Sequence, residues 1–402
     1  MEIDRPFSLA KKLAGLHDHV VPFRLPKSRI NWVNSSFLIG TAFITFTAVP
    51  VYLWKVGLDW FQTSMFLVFF IAAGLSITLG YHRLFSHKSF QASWPVKMLT
   101  LIFGASAFEN HALAWCSDHR RHHKHTDHDD DPYDITKGFW HAHIGWILFS
   151  VDPLPPLDNV KDLRKDKWVM WQANNYIVIA VVAGFIVPTA LGYWYSGGMG
   201  ALGGFLLAGV ARVTAVQHMT FFINSLCHTI GNRPYSDRCS ARDSWIMALF
   251  TFGEGYHNYH HEFQHDYRNG VCWWQFDPTK WTIWVLSRFG LVNSLRRVGE
   301  EKMLVAQLTE VNRRVQDRLK NSAESLEHKS QELLALTAER LEELTLRWAD
   351  LKEHYLARAE ALKNGYAEKT EENWQEACRA VDDMRREVKE AFALLDRLPA
   401  AA

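Results

Sequence analysis

The chain has 402 residues, of which 48% are hydrophobic and 17 are tryptophan, so it is apolar and aromatic-rich for a soluble protein and indicates segments that lie in membrane lipid. A formal net charge of +1, without any long run of lysine or arginine, excludes nucleic acid as an expected partner. The five cysteines form no C-x-x-C pair and no disulfide-like framework, so we interpret them as reduced thiols.

Apolar runs of helical length divide the chain. Residues 1–31 mix both charge signs and lack the short apolar core of a secretory signal, which predicts a cytoplasmic N-terminal segment. The connection between the second and third runs is rich in lysine and arginine, so the positive-inside rule places this connection and both termini in the cytoplasm. A membrane-spanning helix needs roughly 20 residues. The four predicted spans cover about residues 32–54, 61–80, 177–195 and 201–223.

Two stretches, one before the third run and one after the fourth, repeat the histidine spacing H-x-x-H-H. Residues three and four positions apart lie on one face of an α-helix, so each stretch offers three imidazole nitrogens to one small volume. A metal centre needs such an arrangement. The histidines are His119, His122 and His123 in the first stretch, and His257, His260 and His261 in the second.

Three more histidines stand where apolar runs end. His82 and His87 follow the second run, and residues five apart lie about 140° apart around an α-helix, which favours ligation of different metals. His228 ends the fourth run, four residues after Asn224 and on the same helix face, and is the ninth candidate histidine ligand. With four crossings of the membrane, all these histidines lie on the cytoplasmic side.

Nine histidines are too many for one metal ion and suit two. No glutamate or aspartate occupies the ligand positions, which distinguishes this pattern from the carboxylate-bridged di-iron bundles with Glu-x-x-His motifs. Imidazole is a good ligand for zinc, copper and iron, so the spacing alone leaves the identity of the metal open.

The composition changes after residue 298. Residues 299–402 are dense in Glu, Lys, Arg, Ala and Leu, which predicts a long helical tail. Apolar residues with 3,4,3 spacing within it are typical of a coiled-coil seam. Self-association, packing back onto the chain and a solvated helix without a partner are all compatible with this pattern. The seam residues are Leu341, Leu344, Trp348, Leu351 and Tyr355.

The motifs HRLFSH at 82–87, HRRHH at 119–123 and GEGYHNYHH at 253–261 resemble, in this order, the three histidine boxes of membrane fatty acyl desaturases. The resemblance is closest to the stearoyl-CoA (delta-9) type and covers roughly residues 30 to 298. Asp131-Pro132 and NSxxH at 224–228 extend it. The sequence DYRNG after the third box is similar to bacterial members of the family.

This resemblance implies an all-α integral membrane protein, with four transmembrane helices and a cytoplasmic helical cap that holds a histidine-rich di-metal site. It implies a location in a bacterial cytoplasmic membrane. The implied activity is that of an O₂-dependent di-iron oxidase, which inserts a cis double bond between carbons nine and ten of a saturated acyl chain. Both CoA and lipid are open as the acyl carrier, because an arginine that often precedes the second box is absent from Cys116-Ser117-Asp118.

The resemblance also assigns roles to side chains. Two iron ions would be bound by the nine histidines, with Asn224 contributing through water. Trp115 and Thr220 would line the bend of an acyl tunnel, with Asn110 nearby. Carboxylates commonly orient metal-binding imidazoles. The carboxylates expected in this role are Asp118, Asp127 and Glu254.

The chain carries no haem-binding His-Pro-Gly-Gly segment, flavin fingerprint or iron–sulfur cysteine set. We therefore expect a separate electron donor, such as a ferredoxin, a rubredoxin-like protein or cytochrome b5, with its reductase. Two alternatives to the desaturase remain. One is a membrane di-iron hydroxylase of alkyl chains, and the other is a non-enzymatic membrane scaffold that acts through the coiled-coil tail.

Overall fold

The computed structural model describes residues 29–150, 155–321, 328–363 and 371–397. Nearly all of the predicted N-terminal segment lies outside these ranges. The described chain is mostly helical, with two antiparallel pairs of short strands, in which β1 pairs with β3 and β2 with β4. The strands are β1 (Arg29–Ile30), β2 (Gln91–Ala92), β3 (Phe149–Ser150) and β4 (Val292–Asn293).

The helices before the tail form one series, and π-helical or 3-10 segments continue several of them. The α-helices are α1 (Trp32–Val56), α2 (Trp60–Leu75), α3 (Trp94–Ala105), α4 (Ala112–His125), α5 (Trp146–Leu148), α6 (Lys167–Asn174), α7 (Tyr176–Val181), α8 (Val187–Gly203), α9 (Arg212–Ser225), α10 (Trp245–Phe250), α11 (His257–Glu262) and α12 (Pro278–Arg288). The π-helical segments are Ser76–Ser86, His141–Gly145, Val182–Ile186 and Gly204–Ala211, and the 3-10 turns are Ile135–Lys137, Leu163–Lys165 and Leu226–His228.

Three helical stretches of the described chain are long and apolar enough to cross a membrane: Trp32–Val56, Trp60–Ser86 and Tyr176–His228. Together they contain all four apolar runs identified in the sequence. Large apolar side chains on α1, such as Phe43 (67% exposed) and Phe46 (74% exposed), point away from the protein. An exposed apolar surface of this kind suits contact with lipid.

Side-chain caps begin the first two of these stretches. Oδ1 of Asn31 accepts the backbone N–H of Asn34 (3.1 Å), and Oδ1 of Asp59 accepts the N–H of Gln62 (2.8 Å). Each cap satisfies a backbone donor that the first turn of a helix leaves without an internal partner. The two helices therefore begin where local sequence favours it.

The stretch Tyr176–His228 is bent near its middle. Ser196 (φ −148°, ψ 39°) and Gly197 (φ 61°, ψ −145°) have non-helical backbone angles, and the positive φ favours glycine. Across the bend, a Cβ atom on Gly192 would lie 2.1 Å from the carbonyl oxygen of Gly200, so only glycine allows this approach. The two legs therefore pack against each other, and the bend falls at the uncharged glycine-rich sequence between the predicted third and fourth spans.

A buried glutamine joins two of the elements that carry histidines. Gln172 is fully buried; its Nε2 donates to the hydroxyl of Tyr81 (2.5 Å), and its Oε1 accepts the N–H of Ala112 (3.0 Å). Tyr81 directly precedes the first histidine cluster, and Ala112 begins α4, which carries the second. Gln172 therefore fixes the two clusters relative to each other.

The described part of the tail folds into three helices with their own apolar core. Leu341, Leu344 and Trp348 of the predicted seam are buried in this core, and Leu351 packs against it. The seam therefore packs back within the chain, while the side chain of Tyr355 lies outside the described residues. The helices are α13 (Glu300–Asn321), α14 (His328–Lys363) and α15 (Glu371–Arg397).

Candidate metal centre

A π-helical segment presents the first histidine cluster. At its end the N–H of His87 donates to the carbonyl oxygen of His82, five residues earlier (3.1 Å), a wider turn than that of an α-helix. This turn brings the two rings together, with centroids 4.9 Å apart. The structure therefore differs from the expectation that these histidines would serve different metals, because that expectation assumed α-helical geometry.

All nine candidate histidine ligands lie together in two adjoining groups. Within each group, one ring nitrogen from every histidine lies within 4.8 Å of the others. The groups adjoin at His123 and His261, whose rings stack with centroids 4.2 Å apart. The five-histidine group is His82, His87, His119, His123 and His260, and the four-histidine group is His122, His228, His257 and His261.

The H-x-x-H-H spacing divides between the two groups. On α4, His119 and His123 enter the five-histidine group, whereas His122 enters the four-histidine group. Helix α11 does the reverse, since only His260 joins the five-histidine group. Each helix thus contributes to both groups, whereas the sequence predicted three nitrogens from one helix in one volume.

The Nε2 atoms converge inside each group. Nε2 of His87 lies 2.8 Å from that of His119, and Nε2 of His257 lies 3.1 Å from that of His228. Burial and neighbouring imidazoles lower the pKa of His119 and His257 well below the usual value, so these rings are neutral and can offer a lone pair. Converging neutral imidazoles fit two transition-metal ions of the iron, copper or zinc kind.

Carboxylates contact the outer nitrogens of two rings. Nδ1 of His82 lies 2.8 Å from Oε2 of Glu254, and Nδ1 of His122 lies 2.9 Å from both carboxylate oxygens of Asp131. A carboxylate only accepts hydrogen bonds, so Nδ1 of His122 carries a proton and its Nε2 is left to face the metal position. Glu254 was predicted in this role and Asp131 was not. The match of Asp131-Pro132 to the desaturase family was the sequence signal that could have identified Asp131.

The other two carboxylates expected beside the rings lie further away. Asp127 accepts hydrogen bonds from the N–H (2.6 Å) and hydroxyl (2.5 Å) of Ser240, whose Oγ lies 2.7 Å from Nδ1 of His228. Asp118 lies on the wall of a cavity, and burial raises its pKa to about 6. Asp127 therefore reaches a ring through a serine that no local pattern in the sequence marks.

A buried arginine holds Glu254 in place. Nη2 of Arg83 donates to Oε1 of Glu254 (2.8 Å) and to Oδ1 of Asp277 (3.0 Å), and Asn269 donates to Oε2 of Glu254 (2.6 Å). All four side chains are buried. Burial raises the pKa of Glu254, but Arg83 and His82 lower it more, so the net shift is downward and the carboxylate is ionised.

A cavity of about 660 Å³ lies beside the five-histidine group. His82 and His119 form part of its wall, so a molecule in the cavity can contact two histidines of this group. Trp115 stacks on His119 with ring centroids 5.0 Å apart. The volume is typical of pockets for small organic ligands. The wall includes the predicted site residues Asn110, Trp115, Asp118, Thr220, Asn224 and Glu254.

Glu109 is among the cavity residues that were not identified from the sequence as part of the site. Glu109 lines the cavity, and its Oε2 accepts a hydrogen bond from Nε1 of Trp115 (3.3 Å). Burial raises the pKa of this carboxyl to about 8, so it is neutral at pH 7. A neutral carboxyl group can line an apolar cavity at much lower cost than a carboxylate.

Two adjoining all-histidine groups beneath apolar helices, with a cavity against one of them, define a class: helical membrane proteins with a histidine-bound di-metal centre. Within this class, residues 58–287 match the Fatty acid desaturase family. The chain belongs to that family, which confirms the resemblance inferred from the histidine boxes.

Relatives come from distant organisms. The chain is 39% identical over 297 residues to Acyl-CoA desaturase 1 of Saccharomyces cerevisiae. The aligned region covers 71% of this chain and 56% of the yeast protein. It is 38% identical over 248 residues to sn-1 stearoyl-lipid 9-desaturase of Synechocystis sp., covering 61% of this chain and 75% of that relative. Stearoyl-CoA desaturase 5 of Homo sapiens is 36% identical over 233 residues, which is 57% of this chain and 70% of the human protein.

The similarity has clear bounds. The chain spans a little over half the length of its yeast relative. The family match ends at residue 287, before the three tail helices begin. The relatives include yeast and human proteins, so these matches do not single out a bacterial type.

Proposed function

We propose that this protein is an O₂-dependent di-iron desaturase that introduces a cis double bond, at carbon nine, into a saturated acyl chain carried on CoA or on a lipid. The observation that carries this proposal is the cavity, whose wall includes His82 and His119 of the five-histidine group. A chain of methylene groups in this cavity lies directly against one metal position. The names of the relatives, acyl-CoA and stearoyl-lipid 9-desaturases, support the reaction and its position.

Two iron ions would be held by the two histidine groups, with Asn224 on the cavity wall contributing through water. When bound, the iron would supply the O₂ activation that removes one hydrogen from each of two adjacent methylenes; the substrate and the donor would each provide two of the four electrons that reduce O₂ to two waters. The side chains around the cavity contribute by positioning the substrate. Trp115, held by Glu109 and stacked on His119, forms the wall against which the reacting carbons lie. The enclosing cavity excludes bulk water.

The fold suits a multi-pass membrane enzyme. The bend at Ser196 and Gly197 supports two crossings by the stretch Tyr176–His228, and we propose four spans with both termini and the site on the cytoplasmic side. The all-histidine site stores no electrons of its own for repeated turnover. The donor that we propose is a separate protein such as a ferredoxin, a rubredoxin-like protein or cytochrome b5, with its reductase.

Expression in a bacterial host, with cellular fatty acids analysed by gas chromatography and mass spectrometry, tests the activity. We expect a new cis monounsaturated fatty acid, and we expect His122→Ala to reduce it to background because that ring lies in the four-histidine group. His125→Ala is the matched control, since His125 is on the same helix but in neither group and should leave the product unchanged. Derivatisation locates the double bond.

Other products would change the conclusion. Hydroxylated chains from the wild-type protein would indicate the hydroxylase instead. If no product forms even when ferredoxin and reductase are supplied, and the protein binds no iron, the desaturase proposal is wrong.

Glu109 should make substrate binding depend on pH. Because its pKa is about 8, the carboxyl group ionises as the pH rises above that value, and the charge opposes burial of an acyl chain. We expect KM to rise above pH 8 by at most about tenfold per pH unit, the limit for loss of one proton. Steady-state kinetics between pH 6.5 and 9.5 measure this effect. Glu109→Gln should abolish the rise, and a rise that persists in this variant would contradict the assignment.

A further inference from the structure

The hydroxyl of Ser240 lies between an imidazole and a carboxylate. Its Oγ is 2.7 Å from Nδ1 of His228 and 2.5 Å from Oδ1 of Asp127. Because an ionised carboxylate can only accept, the Ser240 hydroxyl donates to Asp127, and its oxygen then accepts from the Nδ1–H of His228. This order leaves the Nε2 lone pair of His228 facing the four-histidine group.

The loop that carries Ser240 is held by the third histidine box itself. Asn258, one residue after His257, is fully buried and forms four hydrogen bonds to the backbone of this loop. Its Oδ1 accepts the N–H groups of Tyr235 and Ser236, while its Nδ2 donates to the carbonyl oxygens of Ser236 and Ala241. Ser240 is therefore fixed relative to the α11 histidines and does not lie on a free surface loop.

The tail holds the same loop from outside. Nη2 of Arg314 on α13 donates to the carbonyl oxygen of Arg233, and Arg313 forms an ion pair with Asp237. Both arginines are also bound by Glu310, whose side chain is buried. The loop is thus clamped on both sides, as a positioning element requires.

We propose that Ser240 is a positioning residue, which together with Asp127 fixes the ring orientation and proton position of His228 and so stabilises metal in the four-histidine group. The proposal rests on the proposed di-iron function. It assigns this role at the four-histidine group only, because the ring that Ser240 contacts, His228, belongs to that group. Loss of the hydroxyl leaves Nδ1 of His228 without its acceptor and frees the ring to rotate or change tautomer.

The test compares Ser240→Ala with Ser240→Thr in the purified full chain, loaded with Fe(II) in detergent. We expect an iron chelator to remove one of the two irons about tenfold faster from Ser240→Ala, the lower end of the effect of losing an outer hydrogen-bond partner. The other iron should leave at the wild-type rate. Ser240→Thr retains a hydroxyl and should restore slow release. Mössbauer spectra of the loaded protein should show one altered iron environment in Ser240→Ala.

A control variant separates this effect from loosening of the loop. The Ser236 hydroxyl lies in the same loop, where it accepts hydrogen bonds from Arg238 and no histidine, so Ser236→Ala should release both irons at the wild-type rate. The proposal is overturned if Ser240→Ala retains both irons as the wild type does, or if Ser236→Ala or Ser240→Thr loses iron equally fast. A wild-type protein that binds no iron instead overturns the proposed function, and with it the positioning role of Ser240.

Discussion

Replacing Arg83 with leucine should lower the free energy of unfolding by about 3–5 kcal/mol, the usual cost of removing one partner from a buried ion pair. The guanidinium is 1% exposed and donates to Glu254 and Asp277, which are themselves 1% and 0% exposed. Without it, two carboxylates stay buried with no cation between them. Equilibrium unfolding of the detergent-solubilised protein measures the effect.

Arg313→Leu is the matched control for this prediction. The Arg313 side chain is 41% exposed although it also contacts carboxylates, so its removal should cost less than about 1 kcal/mol. If Arg83→Leu proves as mild as this control, the buried network contributes little to stability. We also expect Arg83→Leu to weaken iron binding, because Glu254 would lose the partner that holds it against His82.

Gly255→Ala should remove both the proposed desaturation and the proposed iron binding. A Cβ atom at this position would lie 2.1 Å from the backbone nitrogen of Ala248 and 2.6 Å from the carbonyl oxygen of Ser244. Backbone atoms cannot move aside as a flexible side chain does, so the segment between Glu254 and His257 must shift. Overpacking of this kind costs about 1–3 kcal/mol. Iron content and product formation, measured on the same preparation, check the prediction.

Gly198→Ala is the matched control, because the structure has room for a Cβ atom at this position. A Cβ atom on Gly198 meets nothing within 4 Å, so this variant should keep wild-type iron content and activity. Normal iron binding in Gly255→Ala would show that the third histidine box tolerates backbone movement.

The sequence predicted the histidine set better than it predicted the grouping. The H-x-x-H-H repeat is a local pattern, and α4 and α11 are helical as that pattern requires. Which histidines share a metal position depends on how the helices pack, which spacing does not encode. His82 and His87 show the limit most clearly, because a π-helical turn changes the relation between residues five positions apart.

Side chains that support the histidines were harder to find. Asp127 and Ser240 are 113 residues apart in the sequence and meet only through tertiary packing. Glu254 was within reach of prediction because it lies in the third box, three residues before His257. In the tail, the 3,4,3 spacing predicted the buried residues, but it could not distinguish a partner chain from the neighbouring helices that cover them.

The tail and the histidine-bearing part of the chain have separate interiors. The apolar core that contains Leu341 and Met384 is built from α13, α14 and α15, whereas the core around Tyr81 and Leu101 belongs to the part that holds the histidines. The contacts between the loop at 233–237 and α13 described above are polar. The three tail helices can therefore unfold without exposing the apolar core that surrounds the histidines.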